Sequence, residues 1–156
     1  MKQNIIKYST VNPFISFIFF IIFLVGLIAS EDYGLTIDDE YYRVNGVYFY
    51  EYIKNILFGA NIKLVENDIQ YSPALFEILL AFISDIFNIN DIDKIYLASH
   101  KLNFIIFFLS LIVFYKLLKK QYRSEILALL AVLFLYTTPR IFAESFYNSR
   151  DIFFMS

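Results

Sequence analysis

The stretch IYLASHKLNFIIFFLSLIVFY, residues 95–115, decides the fold, because it is long and apolar enough to cross a bilayer. As an α-helix with a rise of about 1.5 Å per residue it would measure about 30 Å, the thickness of a membrane's hydrocarbon core. Its ionisable exceptions, His100 and Lys101, lie in its first third. Such residues usually face a cavity or a partner, although a lysine near the end of a span can also reach the interface by snorkelling. His100 has no second histidine or cysteine at ligand spacing, so a zinc site is not indicated.

The rest of the chain repeats this apolar pattern in blocks. Of its 156 residues 59% are hydrophobic, its mean hydropathy is +0.59, and it contains no cysteine for disulfides or thiolate metal sites. Apolar segments predict further spans at 11–30 and 125–139, the latter interrupted by Pro139, with a fourth starting at 152. We therefore expect an all-α, polytopic integral membrane protein. Because the sequence stops within an apolar run, 1–156 is expected to be the N-terminal fragment of one transmembrane domain. A signal peptide is the alternative for the first segment.

The segment 31–94 between the first two spans is strongly acidic, with twelve carboxylates and four basic side chains. Within it, DEYYRVNGVYFYEYIKNILFG predicts an amphipathic helix at about 39–58. A second helix is predicted at about 73–87, capped by Ser72 before Pro73, with Glu77, Ser84 and Asp85 on one stripe. At about 22 Å this helix is short for a span and suits an interfacial or re-entrant helix, whereas the first is expected at the membrane surface or against another helix.

The basic residues predict the topology. Lys2 and Lys7 precede the first span, and four basic residues occupy the expected loop 116–123. Both segments are cytoplasmic by the positive-inside rule if two spans separate them. The N-terminus would then be cytoplasmic. Two segments would be external, namely residues 31–94 and residues 140–151, RIFAESFYNSRD. This topology allows one external site built from both segments.

Three adjacent carboxylates, Asp38, Asp39 and Glu40, open the predicted amphipathic helix. One interpretation is helix capping, since Thr36 and the acids resemble a capping box and acids favour the first turn. The other is chemical: a carboxylate that takes a proton from an acceptor, or that binds a divalent cation. Neighbouring acids are expected to raise each other's pKa, which would favour a base.

The second polar segment contributes Arg140, Arg150 and Asp151. Asp151 either serves as an N-terminal helix charge or belongs to the same external site. The arginines either pair with external acids and lipid phosphates or recognise the phosphate of a lipid-linked substrate, to which the planar guanidinium is suited. Lys101 has the same two interpretations, snorkelling or phosphate binding. The sequence has no glycine-rich phosphate loop and no basic face for nucleic acid, so a nucleic-acid partner is not expected.

The order of these features resembles a known family. A first span is followed by an Asp-Glu pair with an aromatic residue, Asp39-Glu40-Tyr41; then come the proline-led helix QYSPALFEILLAFISDIF, a span opening with ASHKLNF, and TPRIFAESFYNSRDI. This order is similar to the N-terminal part of GT-C glycosyltransferases that use polyprenyl-phosphate sugars. Within them it most resembles the protein O-mannosyltransferases and lipid A aminoarabinose transferases. One departure is Gln70-Tyr71-Ser72-Pro73, where many relatives have a second proline and a Lys or His.

The resemblance implies roles for several residues. Asp39 would be the base at the acceptor, Glu40 and Asp151 would contribute to the same external site, and Lys101 would lie near the lipid phosphate. Asp39 and Asp151 are the candidate ligands if a divalent cation takes part. The expected function is transfer of a sugar from a polyprenyl-phosphate donor to an acceptor at the periplasmic side of a bacterial inner membrane. The alternatives are a polytopic transporter, which intramembrane His100 and Lys101 would suit, and a non-catalytic membrane scaffold.

Overall fold

The structure, a computed structural model, describes residues 12–34, 39–58, 75–149 and 151–152. Several predictions fall outside these residues, namely those on Thr36, Asp38, Gln70-Tyr71-Ser72-Pro73 and Arg150. The described residues form an all-α structure with six helices: α1 (Pro13–Ala29), α2 (Asp39–Phe58), α3 (Leu75–Ile86), α4 (Ile92–Tyr122), α5 (Glu125–Thr137) and α6 (Pro139–Tyr147).

Helix α4 is the central element. It starts at an Asp91 cap whose side chain accepts from the Asp93 amide, and it ends where Arg123 adopts a left-handed conformation with φ 52°. Among the described helices it alone is long and apolar enough to cross a membrane, and a second span is present if α5 and α6 count as one broken helix. The prediction of a loop at 116–123 was wrong, because α4 continues to Tyr122. Leu117 and Leu118 extend its apolar pattern between the lysines.

Helix α1 lies antiparallel to α4. At one end Gly26 contacts the ring of Phe104 so closely that a Cβ atom would lie 1.8 Å from its Cζ atom. At the other end the Asn12 amide donates to the Glu125 carboxylate over 3.3 Å. The 17 residues of α1 measure about 25 Å, so α1 and the apolar part of α4 have matching lengths.

Helices α5 and α6 are separated by a bend of 68° at Thr138. Pro139 was predicted to interrupt the apolar segment, and this is confirmed. The residues after it, predicted only as a polar external segment, form α6. This helix packs on α4 through stacked rings of Phe146 and Phe104, whose centroids lie 5.4 Å apart. Aromatic packing of this kind explains why the short polar segment is helical.

Helices α2 and α3 pack side by side, and their closest approach is at Gly46. A Cβ atom at Gly46 would lie 2.4 Å from Cβ and 2.6 Å from the backbone of Glu77. The predicted bounds of α2 are confirmed, and α3 lies within its predicted range. The predicted polar stripe on α3 faces α2, since Asp85 accepts from the Tyr50 hydroxyl at 2.6 Å and from Lys54 at 3.1 Å. The α2–α3 pair is therefore held by both close backbone packing and polar contacts between the helices.

Candidate functional site

Polar side chains collect at the two ends of the α1–α4 pair. At one end Lys101 forms an ion pair with Glu31, with Nζ and Oε1 2.9 Å apart. At the opposite end Lys119 pairs with Glu125. The α2–α3 pair and the C-terminal end of α6 pack at the Lys101 end, because α3 contacts α4 and Ser149 contacts Glu77. The predicted site residues within the described ranges belong to this end.

Asp39, the first residue of α2, lines a narrow crevice together with Glu77, His100 and Ser149. The crevice has a volume of about 20 Å³, which is room for about one water molecule. On the far side of His100 lies an open cavity of about 370 Å³, whose walls include Glu31. A cavity of this size lies within the range of small-ligand pockets.

Two residues of α4 separate the crevice from the open cavity, since Tyr96 and His100 line both. His100 is only 4% exposed, hydrogen-bonds to the backbone of Ser30, and interacts electrostatically with Asp39. The imidazole therefore connects the end of α1 to the start of α2. It lines the same crevice as Asp39 and is placed to orient that carboxylate or to relay a proton.

Glu40 is part of an ion-pair network. Its carboxylate accepts two hydrogen bonds from Arg43, at 2.8 and 2.6 Å, and a third from the Tyr96 hydroxyl. These bonds, from Arg43 first and then Tyr96, lower the pKa of Glu40 to about 2. The expectation that neighbouring acids raise the pKa was therefore wrong for Glu40, because a bidentate cation outweighs the adjacent acid. Glu40 is a weak base in this environment, and its bonds attach α2 to α4.

Glu77 is a buried carboxylate that was predicted only as part of a helix stripe. It is 5% exposed, and its Oε1 atom accepts from the Ser149 hydroxyl at 3.2 Å. The close approach of Gly46 places α2 backbone against it. A buried charge needs compensating partners, so this carboxylate ties α2, α3 and the segment after α6 together.

Asp151 lies in a helical turn that follows α6 and that the Asn148 side chain caps. Its carboxylate accepts from the Asn148 side chain at 2.9 Å, and its amide donates back to Asn148 at 3.0 Å. Asp151 is exposed, and Ser149 is the residue of this segment that lines the crevice. The structure therefore places the Asp151 segment against the Asp39 crevice, while Asp151 itself has the capping contacts expected of an N-terminal helix charge.

The predicted phosphate-binding residues are paired with carboxylates. Lys101 contacts Glu31, and the Nε atom of Arg140 lies 2.9 Å from Glu144. Glu144 also accepts from the Asn148 amide at 2.6 Å. Pairing with external acids was one of the two interpretations of these cations, and an anionic substrate would have to compete with those acids. Arg150 lies outside the described residues.

The described residues contain no group of three or more histidine, aspartate or glutamate side chains that could hold a metal ion. Asp39 and Asp151, the candidate ligands, do not form such a group within the described ranges.

The residue pattern indicated no role for Tyr96, indicated for His100 only that it faces a cavity or a partner, and did not indicate the burial of Glu77. A signal for the first two was present, because Tyr96, His100, Asn103, Phe107 and Leu111 recur at three- and four-residue spacing along the buried face of α4. The polar members of this stripe indicate a polar neighbour at that end of the helix. The spacing of residues along α3 does not indicate that Glu77 is buried, because its burial depends on Gly46 of α2.

Comparison of the chain with protein-family models, with curated proteins and with solved structures finds no match.

Proposed function

We propose that the chain is part of a membrane glycosyltransferase that moves a sugar from a polyprenyl-phosphate donor to an acceptor at the external face. One observation supports this proposal above others: segments distant in sequence meet at one end of the α1–α4 pair. Asp39 and Ser149 line one crevice, and the Lys101–Glu31 pair lies at the same end of the helices. The other end carries Lys116, Lys119 and Lys120, as expected for the cytoplasmic side.

The proposed reaction needs a base and a cation. Asp39 would accept the proton of an acceptor hydroxyl while the acceptor oxygen forms a bond to the anomeric carbon. The bond between that carbon and the phosphate oxygen breaks, and polyprenyl phosphate leaves with inversion at the sugar. Lys101 would exchange Glu31 for the phosphate and so stabilise the charge on the leaving group. Glu40, with Arg43 and Tyr96, would hold Asp39 in place rather than take the proton.

The direct test is transfer activity in membranes containing the full-length protein, with polyprenyl-phosphate hexoses and pentoses as labelled donors. Loss of a general base typically lowers a rate by about 10²–10⁴-fold, and we expect a loss in that range for Asp39→Asn. Asp151→Asn should give a smaller loss. The matched control is Asp32→Asn, which removes an exposed carboxylate near the same end. Full activity of both test variants, or no transfer by the native protein from any donor, would contradict the proposal in favour of a transporter or a scaffold.

The topology has its own test, because the chain contains no cysteine. Single cysteines at the exposed positions Asp32 and Asp93 should react with a membrane-impermeant maleimide added to intact cells. A cysteine at Lys120, exposed at the opposite end, should react only after permeabilisation. Labelling of Lys120→Cys in intact cells would place the crevice on the cytoplasmic side and exclude an external active site.

A further inference from the structure

An apolar groove runs between α1 and α4 on the side of the Lys119 end, away from the candidate site. It has a volume of about 620 Å³. Its walls are almost entirely aromatic and aliphatic, and its polar residues are confined to one end: Asn12, Ser16, Lys116 and Lys119. A groove that is apolar along its length and cationic at its mouth matches an amphiphile with an anionic head.

The length of the groove identifies the kind of amphiphile. On α1 it extends from Asn12 to Phe23, and on α4 from Phe108 to Lys119. Each distance corresponds to about 16 Å of helix. The hydrocarbon core is about 30 Å thick, so the groove covers the depth of one leaflet, starting from the basic end. A further helix that crossed the whole membrane beside α1 and α4 would need a groove as deep as the full hydrocarbon core, not one leaflet.

The charges at the mouth indicate where the head group binds. Lys119 is paired with Glu125, whereas Lys116 is exposed at the rim. Lys120 lies next to them in sequence but does not line the groove. A phosphate at the level of Lys116 would gain a favourable electrostatic interaction while its acyl chain covers Phe19 and Phe20.

We propose that this groove binds one anionic phospholipid of the leaflet that contacts the basic end of α4. The lipid's phosphate contacts Lys116, and one acyl chain lies along the aromatic wall between α1 and α4. The proposal requires that α1 and α4 cross the bilayer, but it does not depend on the glycosyltransferase activity. It assigns a function to the cationic end of the helices beyond setting their orientation.

The test uses the absence of tryptophan from the chain. Phe20→Trp places a single fluorophore in the groove, and Phe134→Trp places a control on the exposed outer face of α5. Each variant is reconstituted in phosphatidylcholine vesicles containing a minor fraction of dibrominated phosphatidylglycerol or dibrominated phosphatidylcholine. We expect the anionic quencher to be preferred about fivefold at position 20 and not at position 134; fivefold corresponds to about 1 kcal/mol for one lysine near an anionic head group.

Two charge variants in the Phe20→Trp background locate the head group. Lys116→Gln should abolish the preference, while Lys120→Gln, with the same change in net charge, should retain it. Equal losses for both would show a general surface attraction and overturn the site. No quenching by either lipid would show that protein covers the groove, and equal quenching by both would show ordinary bulk lipid; either result overturns the proposal. Native mass spectrometry of the unmodified chain and of Lys116→Gln, counting bound phosphatidylglycerol, gives the same decision without a tryptophan.

Discussion

Replacement of Gly46 by alanine should separate α2 from α3. A Cβ atom at this position would lie 2.4 Å from the Cβ atom and 2.6 Å from the carbonyl carbon and oxygen of Glu77. Ordinary van der Waals contact begins at 3.4 Å, so the helices must move apart by about 1 Å. Because two of the three atoms belong to the backbone, no change of rotamer at Glu77 relieves the clash.

The expected cost follows from two opposing effects. Overpacking a close interface costs about 1–3 kcal/mol, and the rigid backbone of Glu77 favours the upper part of this range. Alanine is a better helix former than glycine by about 1 kcal/mol, which offsets part of the cost. A net loss of about 2 kcal/mol should increase amide hydrogen exchange in α2 and α3 by roughly thirtyfold.

Hydrogen exchange measured by mass spectrometry on the reconstituted protein tests this expectation. Exchange should rise in the peptides of α2 and α3 and remain unchanged in α5, which does not take part in this crossing. Gly34→Ala is the matched control, since a Cβ atom there would meet nothing within 4 Å. If Gly46→Ala exchanged as slowly as the native protein in α2 and α3, the close crossing of the two helices would be refuted.

Two further predictions test other contacts of the fold. Gly26→Ala should destabilise the α1–α4 pair by about 1–3 kcal/mol, because a Cβ atom would overlap the buried Phe104 ring, and a melting temperature equal to that of the native protein would refute the contact. The Glu40 ion pair should stabilise the fold above pH 4.5, the ordinary pKa, and lose this effect as the pH falls toward about 2, because the folded-state pKa is lowered. Thermal unfolding of Glu40→Gln should therefore differ most from the native protein at neutral pH, with the difference vanishing at low pH; a constant difference would contradict this.

The helices were predictable where the residue pattern was strong and local. The aromatic amphipathic segment gave the bounds of α2, and proline gave the break at Pro139. The run of lysines predicted a loop at the C-terminal end of α4, but Leu117 and Leu118 continue the helical pattern and Ser124 caps the next helix. Local charge therefore competed with periodicity, and periodicity decided the structure.

The candidate site was predictable only in its location. Acids and cations on the expected external segments indicated at which end of the helices a site would lie, and Asp39 lies at that end. Glu40 and Arg43 both lie on α2, but the contact of Glu40 with Tyr96 joins α2 to α4, and no spacing along the chain indicates it. Packing that begins at Gly46 also determines the burial of Glu77. Both contacts depend on how helices cross, which is set by the tertiary structure.

The buried face of α4 changes character along its length, and this change indicates where function lies. Toward the basic end Phe107 and Leu111 fill it, whereas toward the other end His100 and Asn103 take equivalent positions. Asn103 is fully buried, and within the described ranges its carbonyl oxygen has no hydrogen-bond partner, as is also true of Asn45 on α2. An unsatisfied buried polar group costs about 1–3 kcal/mol, a cost that leucine would avoid at either position. By keeping these two buried amides the chain retains polarity at the expense of stability, and such positions are where chemistry or binding is expected.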